Sequence, residues 1–282
     1  MRSCKKVRRS REATVLFLFS LFLCTGCFRN EDRIVTLAGS TAFQPFAEEL
    51  AKQYMEIYPE TIVSVQAGGS MVGIQAVEEG IADIGMVDLS VIPEEDERLL
   101  NAVAVAQDGI ALIVHPTNPV HSLTLEEVKA LFSGKATHWS QVGGRNIAVH
   151  IISREGGSGT RKSFDTLVLG ESPLSRDAFF QDSNGTIREA VASNPHAIGY
   201  LSVGTLSPEV KALSLSGIFP SNENVLSHLY PLAHPIFFLT RKDPPLSLHT
   251  QKFLSFVLSP EGQGIIAKKG LIPILPVEKG RK

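Results

Sequence analysis

The chain has 282 residues, which is enough for two domains of ordinary size or for one large domain. Hydrophobic residues make up 43% of the sequence and charged residues 20%, with no low-complexity tract, as in an ordinary soluble α/β protein. Removal of residues 1–26 takes away six of the 27 basic and one of the 29 acidic residues, which leaves a net charge of −7. A body this acidic is a poor nucleic-acid binder.

The first 27 residues have the form of an export signal. Six basic residues precede an apolar run over residues 15–23, which is too short to cross a bilayer as a helix. Small residues then lead to Cys27, as in a bacterial lipobox, in which cleavage leaves the cysteine as a diacylated N-terminus. The usual lipobox has leucine three residues before that cysteine, whereas this chain has Cys24 there. Ordinary secretion with cleavage nearby is therefore the alternative.

The cysteines place a second constraint on the exported body. All three, Cys4, Cys24 and Cys27, lie in the leader. The body can therefore form no disulfide, although it faces an oxidising compartment. A packed hydrophobic core must supply its stability, and the chain is long enough to build one.

Three short turns of glycine and hydroxyl residues each follow a predicted strand and precede a helical pattern. They are Gly39–Ala42 after strand 34–38, Gly68–Ser70 after strand 61–65, and Arg154–Thr160. Turns of this kind at the carboxyl edge of a parallel sheet direct the first N–H groups of the following helices at one ligand. Hydroxyl groups and the Arg154 guanidinium add donors, so the three turns together predict a site for a small oxyanion. Each turn alone also fits a capped helix start with no ligand.

With these turns in view, the sequence resembles the phosphate-binding protein of bacterial high-affinity phosphate ABC transporters. The resemblance covers residues 34–270, nearly the whole exported body. Its matching segments, in family order, are residues 39–45, 65–70, 82–88, 132–135 with 139–144, 153–160 and 195–200.

The resemblance implies an α/β fold of the periplasmic-binding-protein type II class. Each of its two lobes is a mainly parallel sheet flanked by helices, and the ligand lies in the cleft between them. We expect a crossover at residues 116–119, a capping box at Thr124–Glu127, a return strand within residues 229–239 and closing helices from Ser247. The predicted division is residues 1–26 signal peptide, 27–33 tether, 34–115 and 233–275 lobe one, 116–232 lobe two, and 276–282 tail.

The resemblance also implies the ligand-binding residues. Asp88 corresponds to a buried acceptor carboxylate of the family, although a solvated turn residue is the alternative for it. The remaining positions correspond to donors from side chains or the backbone. The complete predicted set is Ser40, Thr41, Ala42, Ser70, Asp88, Arg154, Ser158, Gly159 and Thr160.

Two positions near the predicted site depart from the family pattern. Many relatives continue the second turn as Ser-Gly-Thr-Gly, whereas this chain has Met71 and Val72 after Ser70. This change removes one possible hydroxyl and alters the expected cleft wall. Relatives usually have serine before the carboxylate, but this chain has Val87, and Ser90 is close enough in sequence to supply the missing hydrogen bond.

The resemblance also implies the function, which is a binding protein that captures inorganic phosphate and delivers it to an ABC permease. We expect an exported, lipid-anchored monomer on the extracytoplasmic face of the cell membrane, with no cofactor. A phosphohydrolase with the same cradle would need a nucleophile with a base, or a metal site, and the sequence shows neither pattern. The eight histidines are scattered, without a His-Glu-x-x-His motif. A lipoprotein for another oxyanion, or one that senses a partner protein, is the further alternative.

Cys27→Ala should abolish incorporation of labelled palmitate and release unlipidated or unprocessed protein from the membrane. Two acyl chains give stable anchoring where a single chain gives only marginal binding. Labelling of cells that express the wild type, Cys27→Ala and Cys24→Ala measures this effect. Labelling that persists in Cys27→Ala and disappears in Cys24→Ala would place the lipid on Cys24.

Overall fold

A computed structural model describes residues 33–274 of the chain. The predicted signal peptide, Cys27 and the tail at 276–282 lie outside the described residues. Within residues 33–274, no helix is both long and apolar enough to cross a membrane.

Strands and helices alternate from β1 to β4 and again from β5 to β8. The strands are β1 (Ile34–Gly39), β2 (Ile62–Ala67), β3 (Ile84–Val87), β4 (Leu100–Val114), β5 (Ser122–Leu123), β6 (His150–Arg154), β7 (Phe179–Gln181), β8 (Ala197–Ser202), β9 (Lys211–Ala212), β10 (Ser214–Leu215), β11 (Ala233–Arg241) and β12 (Ile272–Pro273). The α-helices are α1 (Gln44–Ile57), α2 (Ser70–Glu78), α3 (Glu94–Leu99), α4 (Leu125–Phe132), α5 (Gly159–Phe164), α6 (Asn184–Ala192), α7 (Asn222–Leu226), α8 (Leu248–Leu258) and α9 (Pro260–Lys269).

The strands form two lobes that share β4. In the first lobe the order is β2-β1-β3-β11-β4; the first three strands are parallel, and β11 is antiparallel to both of its neighbours. In the second lobe the order is β4-β8-β6-β7, with β8 antiparallel to β4 and the other pairs parallel. This arrangement is the α/β fold with two lobes that the resemblance implied.

Strand β4 carries the chain from one lobe to the other. Gly109 still lies opposite Ala233 of β11, whereas Ile110 lies opposite Ser202 of β8. The exchange of partners therefore comes before the 116–119 segment at which we expected the crossover. We propose to divide the lobes at 109/110 in place of 115/116, because the strand ladder changes sides there.

The return strand lies close to its expected position. β11 starts at Ala233, after Pro231, and the irregular segment 229–232 precedes it. Pro235 lies inside the strand, one residue before a shift of register between Ile236 and Phe237. A proline removes one ladder donor, and an irregularity of this kind is where sheets tolerate one. The closing helices begin after Ser247, whose side chain accepts from the Thr250 N–H as a helix cap.

Each lobe has its own hydrophobic core. One core contains Leu37, Phe43, Tyr54 and Phe238, and Phe43 packs edge-on against Phe238 with 5.5 Å between ring centroids. The buried residues of α1 recur at spacings of three and four, as the sequence predicted.

The core of the second lobe positions α5. The rings of Phe164, at the end of α5, and Tyr200, on β8, stack with centroids 4.2 Å apart and an interplanar angle of 5°. Burial of these two rings fixes the helix against the sheet. The start of α5 therefore has a rigid support, and the segment Arg154–Thr160, from the end of β6 to this helix start, holds four of the predicted site residues.

Candidate functional site

The first predicted turn connects β1 to α1. Gly39 has φ of +135°, and a Cβ there would collide with the Met86 carbonyl oxygen, so the turn requires glycine. The Ser40 hydroxyl is buried and accepts from the Phe43 N–H at 3.3 Å. Ala42 is also buried and brings its main chain to the same helix start. Ser40 is not the N-cap of α1, which is Phe43 without a side-chain cap hydrogen bond; the Ser40 hydroxyl stabilises the turn before the helix instead.

The second turn brings Ser70 next to Asp88. The Asp88 N–H donates to the Ser70 hydroxyl oxygen at 3.0 Å, and Ser70 is fully buried at the start of α2. Because this hydroxyl accepts from the backbone, its own proton is left for a further acceptor.

The third turn connects β6 to α5. Ser158 is the N-cap residue of α5, and its hydroxyl oxygen accepts from the Arg161 N–H at 3.3 Å. Gly159 and Thr160 follow as the first two helical residues, so no helical carbonyl can accept from their N–H groups. All three residues are buried.

Arg154 lies at the end of β6 and is only 1% exposed. Its Nε donates to the Gln181 carbonyl at 3.2 Å, and its Nη2 donates to the Asp182 carbonyl at 2.7 Å. Nη2 also donates to the Thr41 hydroxyl at 2.9 Å. Among the residues that the structure describes, the buried Nη1 has no hydrogen-bond partner. A buried guanidinium nitrogen without an acceptor is costly, and an anion bound beside Nη1 would supply the missing acceptor.

The two lobes meet at these turns. Arg154 of the second lobe donates to Thr41 of the first, and the Met71 N–H donates to the Gly157 carbonyl at 3.2 Å. Gly159 packs so closely that a Cβ there would collide with the Ser70 hydroxyl and the Asp88 carbonyl. The loops of both lobes therefore pack directly against each other.

Asp88 lies between the lobes, directly after β3, and is 1% exposed. Its Oδ2 accepts from the Thr160 hydroxyl at 2.5 Å, across the lobe boundary. Its Oδ1 contacts Nε2 of His234, which is on β11 and also buried. A solvated turn residue, the alternative reading of Asp88, is therefore wrong.

The buried charges shift each other's protonation. Burial raises the pKa of Asp88, whereas the His234 imidazole and the Thr160 hydroxyl lower it. The lowering effects are larger in sum, so the pKa of Asp88 lies below its usual value. Burial lowers the pKa of His234, but the effect of the Asp88 carboxylate is larger than that of burial and raises this pKa to about 9. The pair is thus an imidazolium and a carboxylate at neutral pH. Burial also raises the pKa of Asp108, which lies opposite His234 on β4, to about 6.

The departures from the family pattern have different consequences from those expected. Ser90 does not replace the serine missing at Val87 with its hydroxyl; its N–H donates to the Ser163 hydroxyl at 2.8 Å. The Asp88 carboxylate takes its partners from Thr160 and His234 instead. Met71 contributes to the contact between the lobes through its backbone N–H, which donates to the Gly157 carbonyl.

Comparisons with known proteins identify the family of the chain. The family model described as the PBP superfamily domain matches residues 29–261. The phosphate-binding protein PstS of Bacillus subtilis is 32% identical over 88% of this chain and 83% of its own. A putative phosphate ABC transporter substrate-binding protein of Clostridium perfringens, solved with bound phosphate, is 35% identical, with a TM-score of 0.82 over 86% of this chain and 100% of its own. An ABC-type phosphate transport receptor of Vibrio cholerae is 33% identical, with a TM-score of 0.74 over the same shares.

The chain belongs to the PstS family of the PBP superfamily. In this PstS-family protein, contacts between the lobes join Thr41 to Arg154, Ser70 to Gly159 and Asp88 to Thr160, while Ser40 and Ala42 lie in the turn of Thr41 and Ser158 lies at the start of α5. Sequence reasoning missed His234 and Asp108. Each is a single titratable residue inside an apolar strand segment, and that signal was available, but the sequence does not show that the two strands pair.

Proposed function

We propose that the protein captures inorganic phosphate outside the cytoplasmic membrane and delivers it to an ABC permease for import. The observation that carries the proposal is the buried Arg154 guanidinium, whose Nη1 has no partner within the described residues. Main-chain carbonyls on its other side fix the direction of this nitrogen. Membership of the PstS family supports phosphate as the anion.

The donors around Arg154 suit a tetrahedral oxyanion. We propose that Ser40, Thr41 and Ala42 contribute from the first lobe together with Ser70, and that Ser158, Gly159 and Thr160 contribute from the second. Two helix N-termini, those of α1 and α5, add their positive ends to the guanidinium. These local dipoles and one placed charge attract the anion against the net charge of −7 that remains after residues 1–26 are removed.

The protonation states favour binding over catalysis. The contact between the Thr160 hydroxyl and Asp88 has the form of a nucleophile with a base, which the sequence did not reveal. However, the net lowering of the Asp88 pKa makes its carboxylate a weak base, and an imidazolium at His234 has no lone pair to accept a proton. Within residues 33–274, no group of three or more His, Cys, Asp or Glu side chains could hold a metal ion. We therefore propose a non-enzymatic protein.

The remaining proposals concern the setting of the protein. It acts as a monomer, anchored through a diacylated Cys27 to the extracytoplasmic face of the membrane. The tether at 27–33 then keeps both lobes within reach of the permease.

The mature protein should bind one phosphate per chain and turn over no generic phosphomonoester. Calorimetry and a hydrolysis assay measure the two properties.

Arg154→Ala should weaken phosphate binding by about 2–5 kcal/mol, because it removes a buried charged donor. Ser40→Ala should cost less, about 0.5–1.5 kcal/mol, because it removes a neutral donor. Arg154→Lys should stay impaired, since an ammonium keeps the charge but lacks the planar fork. Phosphate affinity in Arg154→Ala within about twofold of wild type would contradict the site.

Closure of the lobes should depend on the absence of a side chain at Gly159. Gly159→Ala should raise the radius of gyration in saturating phosphate and weaken phosphate binding, because the added methyl meets Ser70 and Asp88. Gly156→Ala is the matched control from the same loop, since a Cβ there has no heavy atom within 4 Å. Small-angle scattering and calorimetry on both variants measure the difference. Equal compaction of the two variants with phosphate would exclude this contact as a condition of closure.

Asp88 should exclude sulfate. Hydrogen phosphate can donate its proton to the carboxylate, whereas sulfate has none to donate and would meet an uncompensated negative charge. Asp88→Asn removes the charge but keeps an oxygen that can accept from His234, while its amide N–H can donate to the Thr160 hydroxyl oxygen. Sulfate binding, negligible in wild type, should then become measurable in competition calorimetry, while phosphate affinity changes modestly. If wild type binds both anions equally, or Asp88→Asn still rejects sulfate, another residue is the selector.

A further inference from the structure

His234 lies where the two lobes join. It is 4% exposed, on the strand that returns to the first lobe, and directly opposite Asp108 of β4. The neighbouring pair along the ladder, Ala233 and Gly109, is the last before β4 changes partner. His234 is thus a crossing-strand residue whose side chain contacts Asp88 at the anion site.

Both ring nitrogens of His234 face oxygen acceptors. Nε2 contacts Asp88 Oδ1, and Nδ1 is 3.4 Å from the Leu232 carbonyl oxygen, which can only accept. Two acceptors satisfy an imidazolium, which donates from both nitrogens. A neutral ring would have to place a lone pair against one of them, unless Asp88 itself carried a proton.

A positive His234 supplies the charge that two buried carboxylates need, because the other nearby cation, Arg154, also pairs with Glu155 at 3.5 Å. Two carboxylates face the ring, Asp88 from the turn after β3 and Asp108 from β4, and the Arg154 guanidinium faces Asp88 from β6. Asp108 Oδ1 accepts from the Gly109 N–H at 2.7 Å, whereas its buried Oδ2 has no partner in the described part of the chain. Buried charges without partners are strongly unfavourable, so a neutral imidazole would leave one carboxylate uncompensated.

We propose that His234 is a positioning residue for anion selection, because its imidazolium holds the Asp88 carboxylate in the ionised form that only accepts hydrogen bonds. This inference rests on the proposed function and deepens it. Selection against an anion without a proton fails as soon as Asp88 is protonated, because a carboxylic acid donates a hydrogen bond to sulfate as readily as to phosphate. His234 therefore maintains the selection when the surroundings become acidic.

Thr160 cannot perform this task alone. Its hydroxyl donates to ionised Asp88 in the structure, but a hydroxyl can equally accept from a protonated carboxyl group. An imidazolium has no lone pair and offers no such alternative. The contact from His234 thus discriminates between the two forms of Asp88, whereas the contact from Thr160 is compatible with both.

At acid pH, the protonation states of His234 and Asp108 strengthen the effect of His234 on the ionised form of Asp88. The pKa of His234 is raised to about 9, so the imidazolium is present at all lower pH values. The pKa of Asp108 is raised to about 6 by burial, so Asp108 takes up a proton below that pH. His234 then pairs with Asp88 as its one ionised carboxylate neighbour in this cluster.

Sulfate binding by His234→Gln, measured by calorimetry between about pH 8 and pH 5, tests the proposal. Glutamine can still donate to Asp88 but carries no charge, so burial then raises the pKa of Asp88. Sulfate binding should become measurable and tighten as the pH falls, by up to about tenfold per pH unit. Wild type and His234→Arg, which keeps a positive charge, should reject sulfate throughout. His121→Gln, an exposed histidine substitution, is the matched control and should behave as wild type.

Phosphate binding tests the proposed function, and sulfate binding tests this inference separately. If wild type binds no phosphate, the proposed function fails. If wild type and His234→Gln both bind phosphate at about pH 7.5, the inference is overturned by any of three results in sulfate. These are no sulfate binding by His234→Gln at any pH, sulfate binding that does not change with pH, or equal sulfate binding by His234→Arg.

A titration of the wild type keeps the proposal testable if His234→Gln does not fold. Carbon-13 spectra of the Asp88 carboxyl group and nitrogen-15 spectra of the His234 ring report both protonation states directly. We expect an ionised Asp88 at about pH 5 and a ring with two protons at about pH 7.5. Protonation of Asp88 above about pH 5, or a neutral ring at about pH 7.5, would overturn the proposal.

Discussion

Strand β4 belongs to both lobes, and the position of the site depends on this shared strand. Over residues 100–109 its ladder faces β11, and from Ile110 onward it faces β8. A continuous hydrogen-bonded strand fixes the relative height of the two lobes, because neither lobe can slide along it without breaking the ladder. The turns that end β1, β3 and β6 therefore meet at one level. Arg154 reaches Thr41, and Thr160 reaches Asp88, as a result of this alignment.

The junction between the two lobes also contains ionisable groups that are buried and therefore shielded from water. Asp88, Asp108 and His234 are all buried, and so is Arg154, whose charge helps to lower the pKa of Asp88. Such a cluster is stable only when charges and hydrogen bonds are matched, so its geometry is strongly constrained. We therefore regard the crossing strands as part of the anion site, since β11 supplies His234 and β4 supplies Asp108.

Local chemistry made much of the fold and the site predictable. Glycine before a hydroxyl turn marked the ends of β1 and β6, and Ser158 and Thr124 proved to be the predicted helix caps because their side chains bond within three residues. A proline-rich segment marks where a strand has ended, whereas the change of ladder partner within β4, at 109/110, leaves no such mark in the sequence. Asp88 and His234 are 146 residues apart in the chain, and no local pattern relates two positions so distant. Their contact follows from the pairing of β11 with β3 and β4, which only the folded chain reveals.

Tyr200 joins the core of the second lobe to the site. Its ring stacks on Phe164, while its hydroxyl shares a hydrogen bond with Ser153 at 2.9 Å and accepts from the Arg154 N–H at 3.4 Å. Burial raises the pKa of this hydroxyl to about 12, so it stays neutral. A change in core packing that tilts this ring also displaces the main chain at Arg154. Looser packing in the core of the second lobe would thus misdirect the Arg154 guanidinium. Affinity for the ligand would then decline before the lobe unfolds.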